Sequence, residues 1–191
     1  MRKVFVFIFL LLTISLHSVG QSFQLVGGYS SVKKTVFEGN GHDNSKSGFF
    51  PGVGIEFGVG RLRINNTYTY SPRTDTLEFN GQSRLFQFHI ITSDLAVKYK
   101  IFNDNSPYFL AGGFVSCSLY KPKNATGGTT EDKLEYLWNY GFVFGVGFEF
   151  FFKSTSLMIE GKYRRGRAYL EIGDMVYRTN EIGMSIIWNI Y

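Results

Sequence analysis

Hydrophobic and polar positions alternate along most of the chain. In WNYGFVFGVGFEF (138–150), Trp138, Tyr140, Phe142, Phe144, Val146, Phe148 and Phe150 share one parity, and Asn139, Gly141, Val143, Gly145, Gly147 and Glu149 share the other. Such a period of two marks a strand with two unlike faces. Three glycines among aromatics and valines also disfavour a helix. The same alternation predicts strands near 22–33, 48–58, 61–71, 84–101, 107–120, 136–151, 156–166 and 178–191. Eight is an even number, as a closed antiparallel barrel of the membrane type expects.

The connections add independent information. Short ones follow the second, fourth and sixth strands: Val59-Gly60, FNDNS at 102–106, and the residues around Lys153 to Thr155. Long polar ones follow the odd strands, at 34–47, 72–83, 121–135 and 167–177. Short turns at one end and long loops at the other are the habit of outer-membrane barrels, with the short turns in the periplasm. The expected fold is therefore all-β, an eight-stranded antiparallel up-and-down transmembrane β-barrel.

Parity alone does not say which face is inside; bulk does. Seven large side chains from 138–150 would overfill a barrel whose interior is only just wide enough for side chains. Inward glycines relieve that crowding and leave the large apolar groups facing lipid. Tyr68, Tyr70, Tyr99, Tyr108, Trp138, Tyr140, Tyr163 and Trp188 fall towards segment ends, where interfacial aromatic girdles are expected. The alternative is a secreted or periplasmic lipocalin-like barrel, with the apolar face inside and a small apolar ligand in it.

The first twenty residues carry a different pattern. Arg2 and Lys3 precede an apolar run from Val4 to Leu12, and Ser18-Val19-Gly20 offers small residues for cleavage. This predicts a signal peptide over 1–20 and a mature barrel domain over 21–191. No later stretch of eighteen or more apolar residues predicts a membrane helix. Removing Arg2 and Lys3 leaves 18 basic against 15 acidic residues, a net charge of +3. That mild, scattered excess gives no reason to expect nucleic acid. Cys117 is the only cysteine and forms no internal disulfide.

SDLAVKYKIFNDNSPYFLAGGFVSCSL (93–119) resembles the central hairpin of the small outer-membrane barrels of Gram-negative bacteria, the PorT-like and OmpX-like proteins. Lys98, Tyr99, Lys100, Pro107, Tyr108, Ala111 and Gly112 carry that resemblance. IEGKYRRG (159–166) resembles the penultimate strand of that family, and the strand ending in Tyr191 resembles its aromatic terminus. Ser93-Asp94 departs from it, standing where the family commonly has an aliphatic residue and a proline. The resemblance implies an outer-membrane location, contact with outer-membrane lipids including lipopolysaccharide, and handling by the barrel-insertion machinery. It also implies a possible envelope partner in a PorT-like secretion assembly.

The polar parity collects Glu56, Arg61, Arg63, Asp94, Lys98, Glu149, Glu160, Lys162 and Arg164 in the predicted interior. With a turn at Val59-Gly60, Glu56 would lie opposite Arg63. Charges in a narrow interior must be paired, so the set reads as a plug of ion pairs, with an ion path as the alternative. Catalysis is not expected. The mature chain has only His42 and His89, and neither has the serine and acid partners that a hydrolase needs. No cofactor motif or metal-ligand spacing is present. The exposed loops are the places expected to bind a surface ligand.

Overall fold

The computed structural model describes residues 21–36, 44–79, 82–122, 135–170 and 175–191. The predicted signal segment 1–20 and the loop residue His42 lie outside them. Eight strands form: β1 (Ser22–Val36), β2 (Asn44–Val59), β3 (Leu62–Phe79), β4 (Gln82–Lys100), β5 (Ser106–Pro122), β6 (Glu135–Phe152), β7 (Thr155–Leu170) and β8 (Met175–Ile190). Each pairs antiparallel with its sequence neighbours, and β1 closes the barrel on β8 from Phe23↔Ile190 to Val36↔Tyr177. Closure leaves no strand edge in the wall, which is the condition for crossing lipid with strands.

Every strand runs past its expected upper end. β3 and β4 stay paired from Leu62↔Tyr99 to Phe79↔Gln82, so nearly all of the expected loop 72–83 is a hairpin. Above the lipid a strand has water outside it, so its outward positions turn polar while its backbone pairing continues. Polarity there marks the end of the membrane, not of the strand. The β2–β3 ladder behaves differently and stops at Gly52↔Thr69. Pro51 and Pro72 sit just above that point, and a proline has no N–H to give a ladder.

The first turn is also shifted by one residue. Val59 pairs with Leu62, so Gly60-Arg61 is the turn, not Val59-Gly60. Gly60 has φ 63°, the backbone that a first-position glycine supplies in a two-residue hairpin. This shift sets Glu56 across from Asn65 and puts Arg63 opposite Gly58.

Candidate functional site

The lumen is built from the inward parity of all eight strands. At the lower end, near the short turns, Glu56 of β2 and Glu149 of β6 are fully buried. Lys98 of β4 ion-pairs with Glu56 and reaches Glu149 at 3.6 Å. Arg63 stands 3.4 Å from Glu56, a diagonal contact that survives the shifted register. Gln24 donates to Glu56 at 3.4 Å and accepts from Asn65 at 3.0 Å. Glu149 pairs with Lys100 at 3.2 Å and accepts hydrogen bonds from Ser156 at 2.7 Å, Tyr191 at 2.9 Å and Asn189 at 3.3 Å.

Tyr108 links this layer to the next. The Lys98 ammonium lies 4.8 Å from the Tyr108 ring centroid, and the Tyr108 hydroxyl donates to Glu160 at 2.9 Å. Glu160 pairs with Lys162 at 2.9 Å, and Lys162 reaches Asp94 at 3.4 Å. Arg164 grips Asp94 with two parallel bonds, Nε at 2.9 Å and Nη2 at 2.6 Å. This fork on a carboxylate is the strong, directional form of an ion pair. Arg164 also reaches Glu181 at 3.2 Å, and Arg73 holds Glu181 from the other side at 3.2 Å. Five carboxylates and six cations thus form a nearly neutral chain up the lumen, which is how buried charge is tolerated.

Above Arg164 and Glu181 the lumen widens into a cavity of about 60 Å³. Phe50, Phe88, Phe114 and Leu137 wall it together with the hydroxyl side chains Thr69, Ser71, Ser116 and Thr179. On the scale of buried hydration sites it has room for a few waters. Among the described residues no group of acids, histidines or cysteines is arranged to hold a metal.

Of the sequence-predicted interior charges, eight lie in this chain. Arg61 does not: it is exposed in the turn, where the one-residue shift of the hairpin leaves it. Lys100, Glu181, Arg73, Gln24 and Asn65 join the lumen without having been singled out. Lys100 lies two positions from Lys98, and Glu181 two from Gly183, so parity alone could have placed both. Arg73 was hidden by reading 72–83 as a loop.

The outer wall is apolar and exposed, with Phe142, Phe144, Met184 and Ile186 all more than half accessible. A soluble apolar-lumen barrel would need the opposite arrangement. Seven of the eight predicted girdle aromatics face outward: Tyr68, Tyr70, Tyr99, Trp138, Tyr140, Tyr163 and Trp188. Tyr108 is the correction, since it is inside and almost inaccessible. Gly147, its cross-strand neighbour, leaves the space that the ring fills. Polar tips in the wall satisfy one another locally. Tyr70 contacts His89 at 2.6 Å, Asn66 donates to Tyr68 at 3.1 Å, and Tyr163 donates to Asn180 at 2.9 Å.

No protein-family model matches the sequence, and no curated protein matches it. Solved structures do match in fold. OprG, an outer membrane protein of Pseudomonas aeruginosa, superposes with a TM-score of 0.57 at 11% identity, over 91% of this chain and 96% of that one. Neisserial surface protein A gives a TM-score of 0.53 at 16% identity, over 88% of this chain and 98% of that one. The chain has the fold of the small outer-membrane β-barrels, and its partition of charge to the lumen and apolar groups to the wall is that of a bilayer-spanning barrel.

Proposed function

We propose that this chain is an integral outer-membrane protein whose barrel is closed by its ion pairs and works as a rigid, non-catalytic anchor. The observation that carries this is the unbroken chain from Arg63 through Glu56, Lys98, Tyr108, Glu160, Lys162, Asp94 and Arg164 to Glu181 and Arg73. It occupies the lumen at a height where an eight-stranded barrel has no spare width. The long strand extensions above the wall then carry the surface that contacts lipopolysaccharide, a host surface or an envelope partner. A PorT-like place in a secretion assembly fits the sequence resemblance of 93–119 and 159–166.

Conductance across a planar bilayer tests the plug. The reconstituted barrel is expected to pass no steady ion current, whereas Arg164→Ala, which removes the fork on Asp94, is expected to show openings. A steady current from the unaltered chain would overturn the closed-lumen reading. Crosslinking in intact envelopes tests the assembly role, and recovery of the chain alone would count against it.

A further inference from the structure

The lipid-facing wall of β3 and β4 carries polar groups at mid-depth. Outward positions of β3 run Leu62, Ile64, Asn66, Tyr68 and Tyr70. At about 3.3 Å per residue and a tilt of roughly 40°, Asn66 stands about 10 Å above Leu62, and Tyr68 about 15 Å. Both heights fall in the middle of a lipid band about 25 Å tall. Ser93 of β4 pairs in register with Tyr68 and shares its face. Of the Ser93-Asp94 pair, only Asp94 belongs to the charged chain in the lumen.

The three side chains bond to one another. Asn66 Nδ2 donates to the Tyr68 hydroxyl at 3.1 Å, and Ser93 Oγ donates to Asn66 Oδ1 at 3.5 Å. Those bonds use only part of what the groups offer. The Tyr68 proton and the second Asn66 amide proton have no acceptor among the described residues, and Ser93 Oγ accepts nothing. In hydrocarbon no water takes their place, and an unmet polar group there is costly. Polar side chains at such depth serve contacts made within the membrane.

Shape gives a second, independent observation. Gly113 of β5 points outward, and an open groove runs over it between Leu95, Val115 and Phe142. A Cβ there would meet only the Gly141 carbonyl, at 3.5 Å, so packing within the barrel does not demand a glycine. The ladder row through Asn66, Leu95 and Gly113 climbs from β3 to β5. Its direction follows from the row that starts at Leu62 beside a lower turn and reaches Gly161, well above the start of β7 at Thr155. Each strand adds about 3 Å of height at this tilt. Gly113 is therefore level with Tyr68, with β4 between them.

A ridge and a groove at one height on either side of β4 fit a two-fold copy of the same face. Rotation about an axis along the membrane normal, in front of β4, sets β3 of each copy against β5 of the other without changing height. No outward residue of β3 from Leu62 to Tyr70, of β4 from Ile91 to Tyr99 or of β5 from Phe109 to Leu119 is charged, so the face does not repel its copy.

We propose that this face pairs with a second copy of the chain in the membrane, each Tyr68 ring lying over Gly113 of the other copy. Leu95 and Ser93 then meet their own counterparts near the axis, and the second copy's Ser93 oxygen supplies an acceptor for the Tyr68 proton. The proposal rests on the membrane reading above and adds a partner that meets the wall instead of the loops.

The test uses the mature chain with Cys117→Ser, given one new cysteine, reconstituted in phosphatidylcholine vesicles and oxidised. Leu95→Cys is expected to form a disulfide dimer roughly tenfold faster than Ile186→Cys on the opposite wall, the scale of one or two intramembrane hydrogen bonds. Adding Gly113→Leu, which fills the groove, is expected to bring that rate down to the Ile186→Cys level. Adding Tyr68→Phe is expected to lower it in part, and adding Gly27→Leu on the far wall to leave it unchanged. Heat-modifiable gel migration reports insertion separately, so failed insertion refutes the membrane reading itself. With insertion intact, equal crosslinking at positions 95 and 186, or an unchanged rate with Gly113→Leu, overturns the pairing. In intact envelopes, a Leu95→Cys adduct with a different protein in place of a copy overturns it as well.

Discussion

Tyr108 stands inside the barrel directly across from Gly147, with its hydroxyl bonded to Glu160 at 2.9 Å. A Cβ at position 147 would lie 2.5 Å from that hydroxyl and 2.7 Å from the Ile159 carbonyl. The glycine makes the room, and the tyrosine uses it to join the two charged layers.

Gly147→Val should therefore destabilise the barrel by about 1–3 kcal/mol, the usual cost of overpacking. Gly27 faces outward with nothing within 4 Å of its would-be Cβ, so Gly27→Ala should change stability by no more than about 0.5 kcal/mol. Urea unfolding from lipid vesicles measures both. Equal effects at the two positions would mean that the tight lumen is wrong.

Glu56 and Lys98 are both fully buried and paired. Glu56→Gln or Lys98→Met alone leaves a charge without its main partner and should cost on the order of 3 kcal/mol. The double variant should be less destabilised than the sum of the singles, with a coupling above about 1 kcal/mol. An additive double-mutant cycle would show that the pair does not interact.

Tyr191 follows the last strand at the lower rim. Burial, reinforced by the charges of Glu149 and Glu56, pushes its hydroxyl up to about 12 from an ordinary value of 10.0, against the opposing bond to Ser156. The folded state thus favours the neutral phenol. Its contribution is complete below pH 10 and is lost as pH rises towards 12. The stability difference between the unaltered chain and Tyr191→Phe should shrink over that window. A difference that is flat from pH 9 to pH 12 on this scale would remove the phenol from the account.

Amide exchange should separate the two ladders of β3. Residues 72–79 remain paired with β4, so their amides bonded to that strand should be protected despite their polar sequence. Amides of β3 above Thr69 that face β2 have no ladder there and should exchange quickly. Uniformly fast exchange over 72–79 would restore the loop that the sequence suggested.

Strand number, closure and the inside–outside sense were readable because period-2 alternation and side-chain bulk act locally. WNYGFVFGVGFEF specified its own two faces without reference to its neighbours. Register was harder, since it depends on how a turn closes: taking Val59-Gly60 for Gly60-Arg61 displaced Arg61 and misaligned Glu56 with Arg63. Tyr108 was misplaced for a related reason. Its rim position suggested a girdle, but its parity with Leu110 and the glycine across from it decide the matter, and the pairing with Gly147 is a long-range fact. The strand extensions were missed because hydropathy reports the solvent outside a strand rather than its pairing.

The orientation of the wall can be read directly from Trp138 and Trp188, the only two tryptophans. Both face outward, and Trp188 sits in the apolar belt between Leu25 and Leu157. In vesicles with brominated acyl chains, the Trp138→Phe barrel should show strong quenching of Trp188 and little quenching by aqueous iodide. Quenching by iodide with none by the brominated lipid would put that face in water and contradict the lipid-facing wall.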